Sequence, residues 1–348
     1  MKIVVLKFGG TSVGTLDRIN NVANIIRGYV KKKFKVVVVS SAMSGATNEL
    51  IKKSKKISSN FNISEYDVLV SAGEQISCAL IAGRLNHLGV RSRSFMGWQI
   101  PILTDSEHKN SKIISISKNN LIDYLKRGGI PVVAGFQGIS DQKRITTLGR
   151  GASDYSAIML AKVLKAVKCV IYTDVEGVMT TDPKIYKNAK KIKEISYEEM
   201  LEMSSLGSKV MQSNSVQDAR LGRIDIEVKS SFKNTLGTFI TKRKNINHRS
   251  VIRGISSTIN DAKITLVGVK DKPGVAASIF EPLSKNNINV DMVVQNISAN
   301  KLVTDVTFTV KKEDANKAKK LINTNNKIKF KKILIDDKVS KVSIIGVG

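Results

Sequence analysis

Near its N-terminus the chain runs Ile3-Val4-Val5-Leu6-Lys7-Phe8-Gly9-Gly10-Thr11-Ser12. An apolar run gives way to a lysine, two glycines and two hydroxyls, as a strand does when it ends at a turn that handles phosphate. Glycines let the backbone approach a ligand with bare N–H groups, a following helix presents its positive end, and the lysine adds a point charge. The plainer alternative is a surface lysine beside a flexible turn. Two later stretches have the same expected strand, loop, helix placement: Thr146-Thr147-Leu148-Gly149-Arg150-Gly151-Ala152-Ser153-Asp154, and Thr173-Asp174-Val175-Glu176-Gly177-Val178-Met179-Thr180-Thr181-Asp182-Pro183. Neither the Walker pattern nor a dinucleotide G-x-G-x-x-G opening a helix is present, which points away from those nucleotide folds.

The flanking patterns agree with a layered domain. Runs at 36–39, 130–134 and 168–173 are nearly all apolar, as strands buried on both faces of a parallel sheet should be. Between them, 17–31, 48–58, 66–88 and 153–167 carry apolar residues at helical spacing. An α/β domain follows, with helices on both faces of the sheet and the ligand site outside the carboxyl ends of the strands. The second half changes rhythm: strand 263–269, helix 275–283, strands 288–294 and 302–310, helix 313–322, strand 328–335. That βαββαβ order is a small ferredoxin-like module. Residues 237–250, rich in Lys, Arg and Asn, read as the linker. Residues 341–347 echo 263–269 position by position, so a second copy of the module is expected to begin just before the last residue, as in a truncated chain.

Composition narrows the function. At 348 residues the chain exceeds what one core usually organises. No apolar stretch reads as the ~20 residues a membrane span needs and no signal-peptide region opens the chain, so a cytoplasmic protein without membrane association is expected. Cys78 and Cys169 read as two buried free thiols, and His87, His108 and His248 show no zinc-like spacing, so no metal site is expected. The net charge of +28 could attract nucleic acid or anionic lipid. Its lysines are spread along the chain, however, and aromatic-basic interleaving is absent, so nucleic-acid binding is not expected.

In the three stretches above, together with Ser41-Ala42-Met43-Ser44-Gly45-Ala46-Thr47 and Ser71-Ala72-Gly73-Glu74, the chain resembles aspartate kinases, members of the amino acid kinase family. The resemblance runs in order over nearly the whole length. It implies an α/β fold in which an amino acid kinase-like layered αβα sheet domain (1–236) is followed, after the 237–250 linker, by a ferredoxin-like βαββαβ ACT domain (262–336). Residues 251–260 and 341–348 would be parts of a second ACT domain, since in that family the second module's opening strand precedes the first module. The implied reaction is ATP-dependent phosphorylation of the L-aspartate side chain to 4-phospho-L-aspartate, on the way to lysine, threonine and methionine. Glutamate 5-kinase, uridylate kinase and a non-catalytic amino-acid-binding regulator are the alternatives.

The resemblance also assigns roles. Lys7 and Asp154 would be catalytic, and Lys7, Gly9 and Gly10 would meet the phosphates of ATP. Ser41, Ala42, Thr47 and Ser153 would line the aspartate pocket, with Arg150 gripping the α-carboxylate and Glu74 holding the α-ammonium. Thr173, Asp174, Met179, Asp182, Lys184 and Lys209 match nucleotide positions. Each has a local alternative: Ser153 and Asp154 are good helix N-caps, Glu74 could be a solvated helix residue, Arg150 a surface cation and Asp182-Pro183 a turn. Met179, Lys184 and Ala152 depart from the family's usual Tyr, Arg and Gly. Mg²⁺ would arrive on ATP, with no dedicated protein ligand. Asp271, Pro273, Gly274, Ala276, Asp291 and Gln295 match an effector site for lysine or threonine. Such sites form where the ACT modules of two chains meet, so a homodimer or higher oligomer is implied. With its second module cut short, the chain is expected to respond weakly to that effector.

Overall fold

The computed structural model describes residues 1–149, 151–208, 210–242, 252–270, 272–297, 303–325 and 328–346. Arg150, Lys209, Asp271, most of the expected linker and the ends of the expected strands at Val251, Leu302 and Val347 lie outside the described residues. The chain divides into two compact units, 1–255 with 344–348, and 256–343.

The first unit runs β1 (Ile3–Phe8), α1 (Leu16–Lys31), β2 (Lys35–Ser40), α2 (Ala46–Ile57), α3 (Ile63–His87), β3 (Ser92–Phe95), β4 (Ile102–Thr104), β5 (Ile113–Ile116) and α4 (Asn119–Lys126). It continues with β6 (Ile130–Ala134), β7 (Gln137–Ile139), β8 (Ile145–Thr147), α5 (Ala152–Val163), β9 (Lys168–Thr173), β10 (Glu194–Ser196), α6 (Tyr197–Ser205), α7 (Ser213–Gly222), β11 (Ile226–Ser230) and β12 (Thr238–Thr241). One sheet has the order β10-β12-β11-β9-β1-β2-β6-β3, and β4, β5, β7 and β8 form another. From β11 to β3 the large sheet is parallel, and β12 runs against β11. β1 lies near its middle because it is buried on both sides. Val4, Leu6 and Phe8 join the core under α1 and α3, while Ile3 and Val5 join the core under α4 to α7. Each such side chain contributes about 1.5–3 kcal/mol.

Helix ends follow local chemistry. Thr15 caps α1 by accepting the Arg18 N–H, and Ser196 with Glu199 forms a capping box at α6. Several expectations need correction. The helix expected to reach 167 stops at Val163, with Lys165 in the left-handed region. No helix follows the Thr173 stretch directly: Met179 bridges Lys191 across a long loop, and α6 opens at Tyr197. The start of the expected linker is not a connector, because β12 is a strand of the large sheet. By length and composition α3 could cross a membrane, contrary to expectation. Half of its apolar window is buried, and its buried side chains include Asp67 and Glu74, which marks a core helix. Cys78 and Cys169 are free and buried, as expected.

The second unit carries β14 (Asp261–Lys270), α8 (Val275–Lys285), β15 (Val293–Ile297), β16 (Val303–Lys311), α9 (Ala315–Asn323) and β17 (Lys332–Asp336). Its antiparallel sheet has the order β15-β16-β14-β17, that of the expected ferredoxin-like module. Its second strand starts at Val293 rather than 288, since Ile288 is instead a buried core residue beneath the helices. Its last strand begins at Lys332 rather than 328. The strand pair outside the module, β13 (Ile252–Thr258) and β18 (Lys341–Gly346), forms a two-stranded sheet.

Candidate active site

Parallel strands place their carboxyl ends along one edge, where loops gather polar groups. Lys7 lies one residue before the end of β1, and its ammonium reaches the Asp154 carboxylate at 2.6 Å, both residues 8% exposed. Asp154 is the third residue of α5, whose N-cap is Gly151 in the left-handed region with no side-chain cap. The N-cap alternative for Ser153 and Asp154 therefore fails. Ser153 packs against Gly135, where a Cβ would lie 2.9 Å from the serine side chain. That close approach comes from the end of β6, a glycine the sequence patterns did not single out.

The glycine turn after Lys7 also needs correction. The Gly9 N–H donates to the Tyr172 carbonyl at 3.0 Å and is used up inside the fold. Gly10 opens a 3-10 turn, so its N–H has no carbonyl behind it in that turn. A Cβ on Gly10 would sit 2.9 Å from the Ala42 carbonyl oxygen. The Ser44 N–H donates to the Gly10 carbonyl at 3.1 Å, which ties the loop after β2 to the phosphate turn.

Glu74 is no solvated helix residue. Only 4% exposed, it accepts the Ala42 N–H on Oε1 at 3.0 Å, while Oε2 is buried and finds no partner among the described residues. Burial, the main cause, pushes its carboxyl up to about 7 against the pull of the Ala42 N–H. A buried acceptor without a donor costs free energy unless a ligand supplies one. Ser41 is held at both ends, its N–H on the Phe8 carbonyl at 3.1 Å and its carbonyl on the Ser77 hydroxyl at 2.7 Å. Thr47 is the second residue of α2, just past left-handed Gly45.

Two features at this edge had no sequence signal. Phe136 has φ +68°, with its N–H on Ser156 Oγ and its carbonyl accepting the Leu148 N–H. Such strain in a bulky residue concentrates at functional sites. Asp67, fully buried on α3, accepts from the Thr147 N–H at 3.1 Å, the Thr147 hydroxyl at 2.6 Å and the Lys109 N–H at 3.2 Å, and meets His108 Nδ1 at 2.6 Å. It fixes the end of β8, three residues ahead of Arg150 in the chain.

The nucleotide candidates are placed differently. Thr173 ends β9 and accepts the Ser231 N–H on its carbonyl at 3.0 Å, and its hydroxyl meets Asp174 at 3.1 Å. Asp182 accepts the Lys184 N–H on its carboxylate at 2.9 Å, and its carbonyl accepts from Ile185 and Tyr186. Asp182 and exposed Lys184 form the turn of the local alternative. Met179 is half-buried.

Among the effector candidates, Gly274 is the left-handed N-cap of α8, with exposed Pro273 before it and exposed Ala276 after it. Asp291 precedes β15 instead of lying on it, and its carboxylate is held by Lys341. Gln295 is exposed on β15, the edge strand of the module.

The strand ends of a parallel α/β sheet thus gather a lysine–aspartate pair, a glycine turn and an open buried carboxylate. The amino acid kinase family matches residues 2–230 and an ACT domain matches 264–325. An aspartate kinase of Pseudomonas putida is 45% identical over 350 residues, covering 100% of this chain and 85% of its own length. Aspartokinase 2 of Bacillus subtilis is 40% identical at the same coverage. Among solved structures, E. coli aspartokinase III in complex with aspartate and ADP superposes with a TM-score of 0.80 at 26% identity, covering 99% of this chain and 87% of that one. The chain belongs to the amino acid kinase family, in the aspartokinase group that adds an ACT domain.

Proposed function

We propose that this chain is an aspartate kinase, transferring the γ-phosphoryl group of ATP to the side-chain carboxylate of L-aspartate to give 4-phospho-L-aspartate and ADP. The observation that carries the assignment is the pairing of Lys7 with Asp154 at the same strand edge as the open Oε2 of Glu74. An acceptor carboxylate has a reference pKa near ~4, so it is already ionised and needs no general base. Catalysis then rests on positioning and on neutralising charge that spreads over the transferring oxygens. Asp154 holds the Lys7 ammonium toward that charge, and the Gly10 N–H adds a neutral donor. Glu74 takes the α-ammonium on Oε2, and Arg150 takes the α-carboxylate in a paired geometry that lysine cannot copy.

ATP lies along Thr173, Asp174, Met179, Asp182, Lys184 and Lys209. The donors at the phosphate end are an ammonium and an N–H, which suit phosphate oxygens rather than a bare metal ion, so Mg²⁺ rides on the nucleotide and offsets its charge. In the ACT module, Pro273, Gly274, Ala276, Asp291 and Gln295 with Asp271 take an amino-acid effector, lysine or threonine. Two chains pair through that module. The reaction places the protein in the cytoplasm, where ATP and aspartate meet. An ADP-release assay with aspartate, glutamate and UMP tests the assignment: turnover with aspartate alone is expected, and preference for either other acceptor overturns it.

A further inference from the structure

On the α1 side of the large sheet lies a cavity of about 430 Å³ whose lining includes none of the residues assigned above, though it borders Thr173 through Tyr172 and Ser231. Such a volume is that of a small-molecule site. One wall is a stripe of α1, with Asn21, Asn24, Gly28 and Lys32 at helical spacing, and the other is the chain leaving β11, from Lys229 to Asn234. Its lining holds lysines, asparagines and serines together with Ile25, Tyr29, Tyr172 and Phe232, and neither Asp nor Glu.

The charge is only partly compensated. Glu227, buried behind the wall, stands between two ammonium groups, 2.6 Å from Lys168 and 3.7 Å from Lys229. One carboxylate cannot neutralise both, and the looser partner, Lys229, lines the cavity. Among the described residues Lys233 pairs with Glu176, an exposed contact of the kind that contributes little. Gly28 leaves the floor open, since a Cβ there would meet nothing within 4 Å. Glycine inside a helix costs about 0.5–1 kcal/mol relative to alanine.

We infer that this cavity is a second binding site, for a small organic anion carrying phosphoryl or carboxylate groups, gripped by Lys229 and Lys233 and hydrogen-bonded by the asparagines of α1. It is wired to the reaction edge. Ser231 in its wall accepts the Asn21 amide on its carbonyl at 2.6 Å and donates its N–H to the Thr173 carbonyl at 3.0 Å. Its hydroxyl meets that of Ser12, in the turn after Gly10, at 2.8 Å. Drawing Lys233 inward frees Glu176, in the loop after Thr173. An occupant therefore changes the apparent affinity for ATP more than that for aspartate, a consequence that rests on the proposed function as the binding itself does not.

The test is calorimetry on the full chain with saturating ADP and aspartate, using pyrophosphate for the phosphoryl source and citrate for the carboxylate source. One equivalent of at least one probe should bind. Lys229→Met with Lys233→Met should weaken it at least tenfold, Gly28→Leu should block it, and Lys55→Met, a lysine outside the cavity, should change nothing. The ATP KM with the better probe should shift at least threefold in the unaltered chain and stay fixed in Gly28→Leu. If Gly28→Leu fails to fold, the double lysine variant decides alone. Failure of both probes to bind, displacement by ADP, or indifference to the variants overturns the site. Binding without a shift in KM overturns only the coupling.

Discussion

The acceptor side and the nucleotide side of the strand edge are built in opposite ways. Lys7, Asp154, Glu74 and Ser41 are inside or half inside the protein, and each is held by a group from a different element. Asp174, Asp182 and Lys184 are exposed and hydrogen-bond chain neighbours within a few residues. The proposed acceptor pocket is held by contacts between distant elements, the proposed nucleotide loop by local ones. Preorganised charge is where transition-state stabilisation resides, so substitutions on the two sides should differ in size and in the constant they move.

The largest effect is expected at Lys7. Lys7→Ala should lower kcat by ~10²- to 10³-fold with little change in the aspartate KM, because the ammonium acts on developing charge. Steady-state kinetics showing near-normal turnover would remove Lys7 from the transfer step.

Glu74 comes next. Glu74→Gln should raise the aspartate KM by ~10- to 100-fold, the size of a charged hydrogen bond. Its carboxyl titrates at about 7 in the free protein. The substrate ammonium favours the ionised form, so below that pH binding must expel a proton. The aspartate KM should therefore climb toward tenfold per pH unit as pH falls from 7, and the climb should vanish in Glu74→Gln. Stability has the opposite sense. A carboxyl raised by folding makes the native state bind more protons than the unfolded one, so this group's contribution to stability falls as pH rises from about 4.5 to 7. Glu74→Gln should accordingly gain in melting temperature over the parent at pH 8 and not at pH 4.

Asp67 tests whether the acceptor side is held from behind. Asp67→Asn puts an amide donor against a ring of donors, and should lose about 1–3 kcal/mol in urea unfolding while raising the aspartate KM through the Thr147 loop. Unchanged values for both would leave that network without a role. The smallest effect belongs to the nucleotide side: Met179→Tyr should lower the ATP KM only a few-fold, in line with an aromatic contact of ~1 kcal/mol. A tenfold or larger change would mean that this loop is as preorganised as the acceptor pocket.

Apolar runs and helical spacing were enough to read β1, β2, β6, β9 and the helices α1, α2, α3 and α5, because each pattern is set by neighbours a few residues apart. The short strands β3, β4, β5, β7, β10 and β12 were not legible, since three or four residues carry too little periodicity. Lys7, Glu74 and Asp154 were singled out by the resemblance of their ordered motifs. Asp67 and Phe136 were not, having no local pattern of their own.

The sequence alone determined the layered α/β half, the βαββαβ module and the residue types gathered for phosphoryl transfer, since strand burial, helix spacing and turn composition are local properties. Only the tertiary structure decided which of those groups are free to act. It spent the Gly9 N–H on Tyr172, tied Asp154 to Lys7 rather than to a helix cap, and left Glu74 Oε2 open. It also joined Asp67 to Thr147 across 80 residues. Hydrogen-bond partners and desolvation depend on what folding brings alongside, and no spacing along the chain encodes that.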